Sequence, residues 1–508
     1  MSSPAQPLAA SLVQSVDWLA IAPPTIAAVV ALAVLVADLF VAEHRKALLG
    51  WTSVAGLAAA TLMLLPLLDG DRSTFCLTRD AAVCSYTADR FTLVIQFLVL
   101  GGALLAALLS VTALKDARKT LPEGEYWFLL LSSAAGAALL PASRDLATLI
   151  VALEVASLPA FALVGLKYGD RKSSEAALKF FLSSVTATAV SLMGISFLYA
   201  STGTLHLTQV ADRIQHVDGQ LHTLADTGVV LTLVGFAFKT AAVPFHFWVP
   251  DTYVGAPLPI AAYLSVIGKA VGFSGLILVT VVALPSYADV WGPALAALAA
   301  FTMTVGNVGA LRQQATRAYS AVRLLAWSSV GQAGYLLVPI AAAAYSGDPE
   351  KSIGSTVAYA LMYGAVNLGA FAVAALVGRT KSLNRVADYR GLYASNPLSA
   401  LLLAFFLLCL AGLPPGVIGL FAKVTVFSAA VDAGLGWLAV IMAVNVVIAL
   451  FYYLQWTALL FRAAVEGEAG KHRVPAPLTA ALALTGVLGI VLSGAPQLVL
   501  RFTDTGLF

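Results

Sequence analysis

Charge is the scarcest feature of this sequence: of 508 residues, 11% are Asp, Glu, Lys or Arg and 60% are hydrophobic. A soluble domain carries roughly a quarter charged residues, and the mean hydropathy here is +0.89, so a soluble globular protein is excluded. The net charge of +3 says little by itself, and no nucleic-acid partner is expected. Cysteine is nearly absent as well. Cys76, Cys84 and Cys409 cannot supply a four-thiolate iron–sulfur centre, and no Cys-x-x-Cys pair occurs. Of six histidines, His206, His216 and His222 share one loop but lack the i, i+4 spacing of a helical metal site, so they are read as solvated, with no metal and no cofactor. GLGWLA, Gly434 to Ala439, fits a dinucleotide fingerprint only in its letters, because no strand precedes it. The N-terminus has no basic region of the kind that opens a signal peptide, so the first apolar run is expected to be a retained helix.

What is present is a recurrence of apolar runs. At roughly 20 residues per span, these predict an all-α polytopic membrane protein of about fourteen helices. The segments are 17–40, 47–68, 90–113, 126–141, 145–166, 174–200, 228–248, 257–284, 290–310, 318–343, 354–378, 398–430, 434–462 and 476–499. No polar stretch is long enough to fold separately, so residues 1–508 are expected to form one membrane domain. Of the 29 basic residues, 18 lie in or beside the loops after odd-numbered segments and 7 on the opposite side. The positive-inside rule therefore puts the odd loops in the cytoplasm and both termini outside. Two outer loops are long: Asp69 to Asp89, where a local Cys76–Cys84 disulfide is chemically permitted, and Ser201 to Thr227.

The four remaining basic residues, Lys179, Lys239, Lys269 and Lys423, fall inside helices. A lysine at the bilayer centre costs about 2.5–3.5 kcal/mol on insertion scales and marks an ion or proton path by default. Lys269 is more than ten residues from either end of its segment and cannot snorkel easily. Lys239 precedes Pro244, and Lys423 follows Pro414 and Pro415, so the seventh and twelfth segments read as broken helices carrying lysines. Five segments separate the two breaks, an offset that inverts direction through the membrane. Segments 4–8 (126–284) and 9–13 (290–462) are accordingly expected to be inverted five-helix repeats. Glu154 lies near the middle of the fifth segment, where a carboxyl is either neutral or close to a cation. Lys179 follows Glu175 by four residues, which fits either a surface ion pair or a path residue. His246, just past the first break, is a possible proton shuttle or a cap for freed carbonyls. Ser328, Ser329, Gln332, Tyr335, Tyr359, Tyr363, Asn367 and Asn445 are available between the charges, each also explicable as packing glue.

FKTAAVPFHFWVPDTYVGAPLPIAAYLSVIGKAVGF, together with EAALKFFLSSVTATAVSLMGISFLYASTGT, GNVGALRQQATRAYSAVRLLAWSSVGQAGYLL and LAGLPPGVIGLFAK, resembles antiporter-like subunit N of bacterial type I NADH:quinone oxidoreductase, respiratory complex I. The likeness covers most of Asp145 to Tyr453. PDTY at Pro250 to Tyr253 is closer to subunit N than to sister subunits M and L, which read more like PDAH. Val254 replaces an acidic residue usual in the family, and Leu420 stands where an aromatic is more typical. The resemblance implies that Glu154 and Lys239 form a charge pair, that Lys179 and Lys269 continue a central hydrophilic axis, and that Lys423, a glutamate in subunit M, is the terminal group. It also implies proton translocation in a bacterial inner (plasma) membrane, with NADH oxidation and quinone reduction in other subunits and with subunits M and K as neighbours. Two other readings stay open: the related membrane component of a multisubunit sodium/proton antiporter, which shares broken helices and lysines, and a structural scaffold whose charges only lock helix packing.

Overall fold

A computed structural model describes residues 16–78, 80–117, 120–463, 474–503 and 506–508. Arg79, Arg118, Lys119, Lys471 and Arg473 of the charge balance, and the N-terminal stretch before residue 16, lie outside the described residues. The helices are α1 (Ala22–Asp38), α2 (Ala47–Leu62), α3 (Arg90–Asp116), α4 (Glu123–Leu139), α5 (Leu146–Gly165), α6 (Arg171–Thr202), α7 (Leu207–Arg213), α8 (His222–Thr240), α9 (Trp248–Gly255), α10 (Leu258–Tyr263) and α11 (Lys269–Ile277). They continue with α12 (Ala288–Leu311), α13 (Ser320–Ala342), α14 (Pro349–Gly378), α15 (Leu392–Ser395), α16 (Pro397–Ala411), α17 (Val417–Asp432), α18 (Gly436–Leu460), α19 (Ala476–Gly494) and α20 (Gln497–Leu500). Helix falls on every predicted apolar segment. Among the described residues, eleven helical stretches are long and apolar enough to cross a membrane by length and composition, while α1 and α16 are shorter apolar helices.

The starts are set by local chemistry. Asp89, Asp145, Asp170 and Asp348 precede α3, α5, α6 and α14, and each accepts a first-turn backbone N–H that has no partner within the helix. The predicted loop Asp69 to Asp89 is corrected: β1 (Arg72–Leu77) and β2 (Asp80–Ala88) form an antiparallel hairpin in which Cys76 faces Cys84 and is disulfide-bonded to it. The chain is thus all-α in its apolar segments but not throughout. Thr74, Cys84, Tyr86 and Ala88 turn inward while the residues between them are more exposed, the period of two that half-buried strands show. The second long loop holds α7.

Contacts sort the connections into two ends. At one, Asp17 pairs with Arg72, residues Tyr86 and Ser143 bridge, Asp145 and His206 bridge, the Tyr287 hydroxyl reaches Asp226, and Leu507 N–H donates to Glu350. At the other, Arg379 pairs with Asp116, Tyr168 N–H bonds to Thr120 O, and Ala387 N–H to Ala315 O. Between the ends, α13 and α14 are buried along almost their whole length. An apolar helix that no lipid touches needs no greasy face all round, which leaves room on it for hydroxyls and amides.

Candidate functional site

The first break follows α8. Ala241 takes the left-handed conformation (φ 65°), and Ala242 N–H returns to Ala237 O at 3.0 Å. The second break follows α16 in the same way: Gly412 is left-handed (φ 85°) and Leu413 N–H returns to Leu408 O at 2.9 Å. Both are six-to-one helix caps of the Schellman kind. In each, a proline stands three residues after the left-handed residue, Pro244 in one and Pro415 in the other, and stops the helix from resuming at once.

Lys239 lies in the last turn of α8 and is 5% exposed. Its ammonium donates to Ser184 Oγ at 2.7 Å and sits 5.0 Å from the Phe161 ring, 5.5 Å from Phe180 and 5.7 Å from Phe238. Aromatic faces attract a cation through their quadrupole, more strongly away from water. Glu154, half-buried on α5, accepts instead from Thr188 Oγ1 at 2.7 Å, and no ion pair joins it directly to Lys239 among the described residues. Ser184, Thr188 and Ser191 recur at four- and three-residue spacing on the buried side of α6. That stripe was legible as a period but went unused in the reading of the sequence.

Lys179 stands apart from the buried lysines. Its side chain is 47% exposed and pairs with Glu175 at 2.8 Å and with Asp251 at 2.9 Å; Asp251 also meets Arg323 of α13 at 3.3 Å. The predicted i, i+4 partner is therefore present, and the second carboxylate, one turn into α9, is an addition. His246 is partly exposed, its ring 5.5 Å from that of Trp327, and among the described residues no hydrogen bond ties it to a lysine. The carbonyl freed at the first break, that of Phe238, accepts from the Trp248 indole at 3.4 Å.

Lys269 is 2% exposed and opens α11 directly after a wide π turn, Leu264–Gly268. Such turns are uncommon inside helices and are frequent at functional sites. Its ammonium donates to Ser329 Oγ of α13 at 2.5 Å. The Tyr363 hydroxyl lies 3.1 Å from Ser329 Oγ and 3.1 Å from Ser265 O, the Tyr253 hydroxyl lies 3.3 Å from Ser329 Oγ, and Asn367 donates to Ser265 Oγ at 2.6 Å. One turn on, Gln332 accepts from Tyr359 and donates to the Tyr453 hydroxyl at 3.3 Å, which is 2.5 Å from Ser328 Oγ. Tyr452, Asn307, Asn445 and Thr304 extend the polar series at 2.9, 3.0 and 3.1 Å. Thr304 is exposed.

Lys423, also 5% exposed, reaches back from α17 to the end of α16, donating to Leu410 O at 2.9 Å and Ala411 O at 2.6 Å. This resolves an asymmetry of the sequence, where one lysine precedes its break and the other follows it. Lys239 lies in the closing turn of the half-helix before its break, and the Lys423 ammonium is at the corresponding end of its own. There the carbonyls are unpaired and the dipole favours a cation. Gly419 permits the approach: a Cβ there would come within 1.7 Å of Cys409 O.

Two small cavities flank the lysines. One of about 20 Å³ is lined by Lys239, Ser133, Ser157, Tyr263, Trp248 and Gly268, the residue before Lys269. The other, also about 20 Å³, is lined by Gln332, Tyr359, Tyr363, Cys409 and Lys423. Each has room for about one water, which needs at least 10–15 Å³. Among the described residues, no group of three or more His, Cys, Asp or Glu is placed to hold a metal ion. Buried amines, hydroxyls and water-sized spaces suit the passage of a proton and offer no redox group.

A polytopic bundle whose broken helices present buried lysines to a polar interior is the architecture of membrane proteins that carry ions or protons. Residues 143–449 match the family described as NADH:quinone oxidoreductase/Mrp antiporter, TM, and the chain belongs to that family. It is 73% identical over 514 residues to NADH-quinone oxidoreductase subunit N 2 of Streptomyces griseus, covering 98% of this chain and 96% of that one. It is also similar to a chain of respiratory complex I from Thermus thermophilus with bound aureothin (31% identity, TM-score 0.75, 94% of this chain and 98% of that chain). A chain of the Mrp complex from Dietzia shares the fold at 21% identity and TM-score 0.80, covering 96% of each.

Proposed function

We propose that this chain is the proton-translocating membrane subunit N of an NADH:quinone oxidoreductase, the redox chemistry belonging to other subunits. The observation that carries the reading is the burial of Lys239, Lys269 and Lys423 on neutral partners in one polar interior. Lysines kept only to lock helix packing would be expected to face carboxylates, so the scaffold reading loses its main support. The fold is shared with an Mrp complex chain, but the 73% identity to a subunit N favours the oxidoreductase over a sodium/proton antiporter.

In this reading Lys239, Lys269 and Lys423 hold and pass protons. Glu154 acts on Lys239 across a gap, and Lys179 joins the axis only by leaving Asp251. His246 has the weakest claim, because it faces Trp327. The matching caps at Ala241 and Gly412, each with its proline three residues on, support inverted repeats over 126–284 and 290–462 within a single membrane domain. The gathering of Asp17 and Leu507 with the hairpin at one end supports termini on one side, and the 18-to-7 charge balance makes that side external. Glu154 and Lys179 are both partly exposed on the α5–α6 side. Charge does not face lipid at depth, which supports a neighbouring subunit there, with M and K the candidates.

The test is NADH-driven proton pumping by the assembled complex carrying Lys269→Ala or Lys423→Ala. Pumping is lost while NADH oxidation by a soluble acceptor is retained. Wild-type pumping by both variants would refute the reading, and purification without flavin and iron–sulfur subunits but with sodium-dependent exchange would replace it with the antiporter.

A further inference from the structure

Among the described residues, Ser329 Oγ is the one hydrogen-bond partner of the Lys269 ammonium. The same oxygen lies 3.1 Å from the Tyr363 hydroxyl and 3.3 Å from the Tyr253 hydroxyl. A serine hydroxyl has one proton to give and two lone pairs, and each tyrosine has one proton. Because Lys269 occupies one lone pair, a single proton and a single lone pair must serve two tyrosines. Two arrangements satisfy this with the same heavy atoms. In one, Tyr363 donates to Ser329 and Ser329 to Tyr253. In the other, Tyr363 turns its proton to Ser265 O, also 3.1 Å away, Ser329 donates to Tyr363, and Tyr253 donates to Ser329.

The two tyrosines border different spaces. Tyr253 lines a cavity of about 650 Å³, shared with Asp116, Lys167, Lys172 and Arg379 at the basic end of the molecule. Tyr363 lines the small cavity that holds Lys423. We propose that the Ser329 hydroxyl is a two-way proton relay that connects Lys269 either to the basic-end cavity through Tyr253 or to Lys423 through Tyr363. The inference rests on the proton-translocating reading above and adds the group that decides direction.

In the forward step, an N–H bond of the Lys269 ammonium breaks as an O–H bond forms on Ser329. The proton already on Ser329 passes to Tyr363, whose own proton passes to a water in the small cavity and then to the neutral amine of Lys423. One ammonium is lost at Lys269, one is gained at Lys423, and no electron moves. Reloading starts from water in the larger cavity and runs through Tyr253 and the reoriented Ser329 to the neutral Lys269 amine.

The experiment uses the intact complex in proteoliposomes, with assembly and NADH oxidation by a soluble acceptor verified for each variant. Ser329→Ala is expected to lose as much pumping as Lys269→Ala, and Ser329→Thr, which keeps the hydroxyl, to restore it. Tyr363→Phe, which removes one branch and keeps the ring, should match Ser329→Ala and serves as the readout if the alanine variant fails to assemble. Wild-type pumping by Ser329→Ala or Tyr363→Phe alongside a defective Lys269→Ala would overturn the relay alone. So would a threonine variant as defective as alanine, since shape rather than the hydroxyl would then matter. Wild-type pumping by Lys269→Ala would remove the reading beneath it.

Discussion

Gly419 offers a way to move a buried lysine without touching it. An added Cβ would stand 1.7 Å from Cys409 O and 2.5 Å from Cys409 C, atoms of α16 backbone that cannot rotate away. Restoring an ordinary 3.4 Å separation requires α17 to withdraw by about 1.7 Å along that line. Overpacking of this kind costs roughly 1–3 kcal/mol. The same withdrawal lengthens the bonds from Lys423 to Leu410 O and Ala411 O from 2.9 and 2.6 Å to roughly 4 Å, beyond hydrogen-bonding range. Each is a bond to a charged group worth about 1.5–3 kcal/mol, so Lys423 must find other partners or lose its proton. Gly419→Ala is therefore expected to cut NADH-driven pumping in assembled complexes, measured by vesicle acidification after native electrophoresis has verified assembly. Gly436→Ala is the control, because a Cβ there meets nothing within 4 Å. Wild-type pumping and thermal stability in Gly419→Ala would refute the claim that this close approach positions Lys423.

Two further outcomes concern the ends of the molecule. Asp170 caps α6 and accepts the Lys167 ammonium at 2.8 Å; that ammonium is the main influence holding its carboxyl below the usual range. Its stabilising contribution is present above the unfolded value of about 3.9 and is lost as pH falls through the lower folded value. Asp170→Ala should cost about 0.5–2 kcal/mol, constant from pH 8 to 5 and shrinking in more acidic solution, as read by thermal unfolding at each pH. Replacing Cys76 and Cys84 with serine should loosen the hairpin by roughly 2–3 kcal/mol through loop-closure entropy and leave pumping intact. In the wild type, once reduced, these thiols should react with an impermeant maleimide from outside intact cells; protection from outside would reverse the orientation.

Apolar run length located the helices because length and hydropathy are local properties. The four intrahelical lysines were legible for the same reason, since a lone cation in an apolar run stands out without any knowledge of its partners. The partners were not legible. Ser184 and Ser329 are separated from Lys239 and Lys269 by 55 and 60 residues, and a hydroxyl in an apolar helix looks the same whether it bonds its own backbone or a distant ammonium. Asp251 was hidden in a motif read for its prolines. The hairpin was missed because Arg72–Leu77 and Asp80–Ala88 are short and polar, and their pairing rests on register across a turn.

The neutral company of the buried lysines bears on how easily this interior discharges. A salt bridge that loses its proton strands a buried carboxylate, and breaking such a pair costs about 3–5 kcal/mol. When Lys269 gives up its proton, what remains is an amine beside the Ser329 hydroxyl, and at Lys423 an amine beside two carbonyls. Neither leaves an orphaned charge. Vacating one position therefore creates no local electrostatic debt, and both its occupied and its empty state can be visited in each turnover.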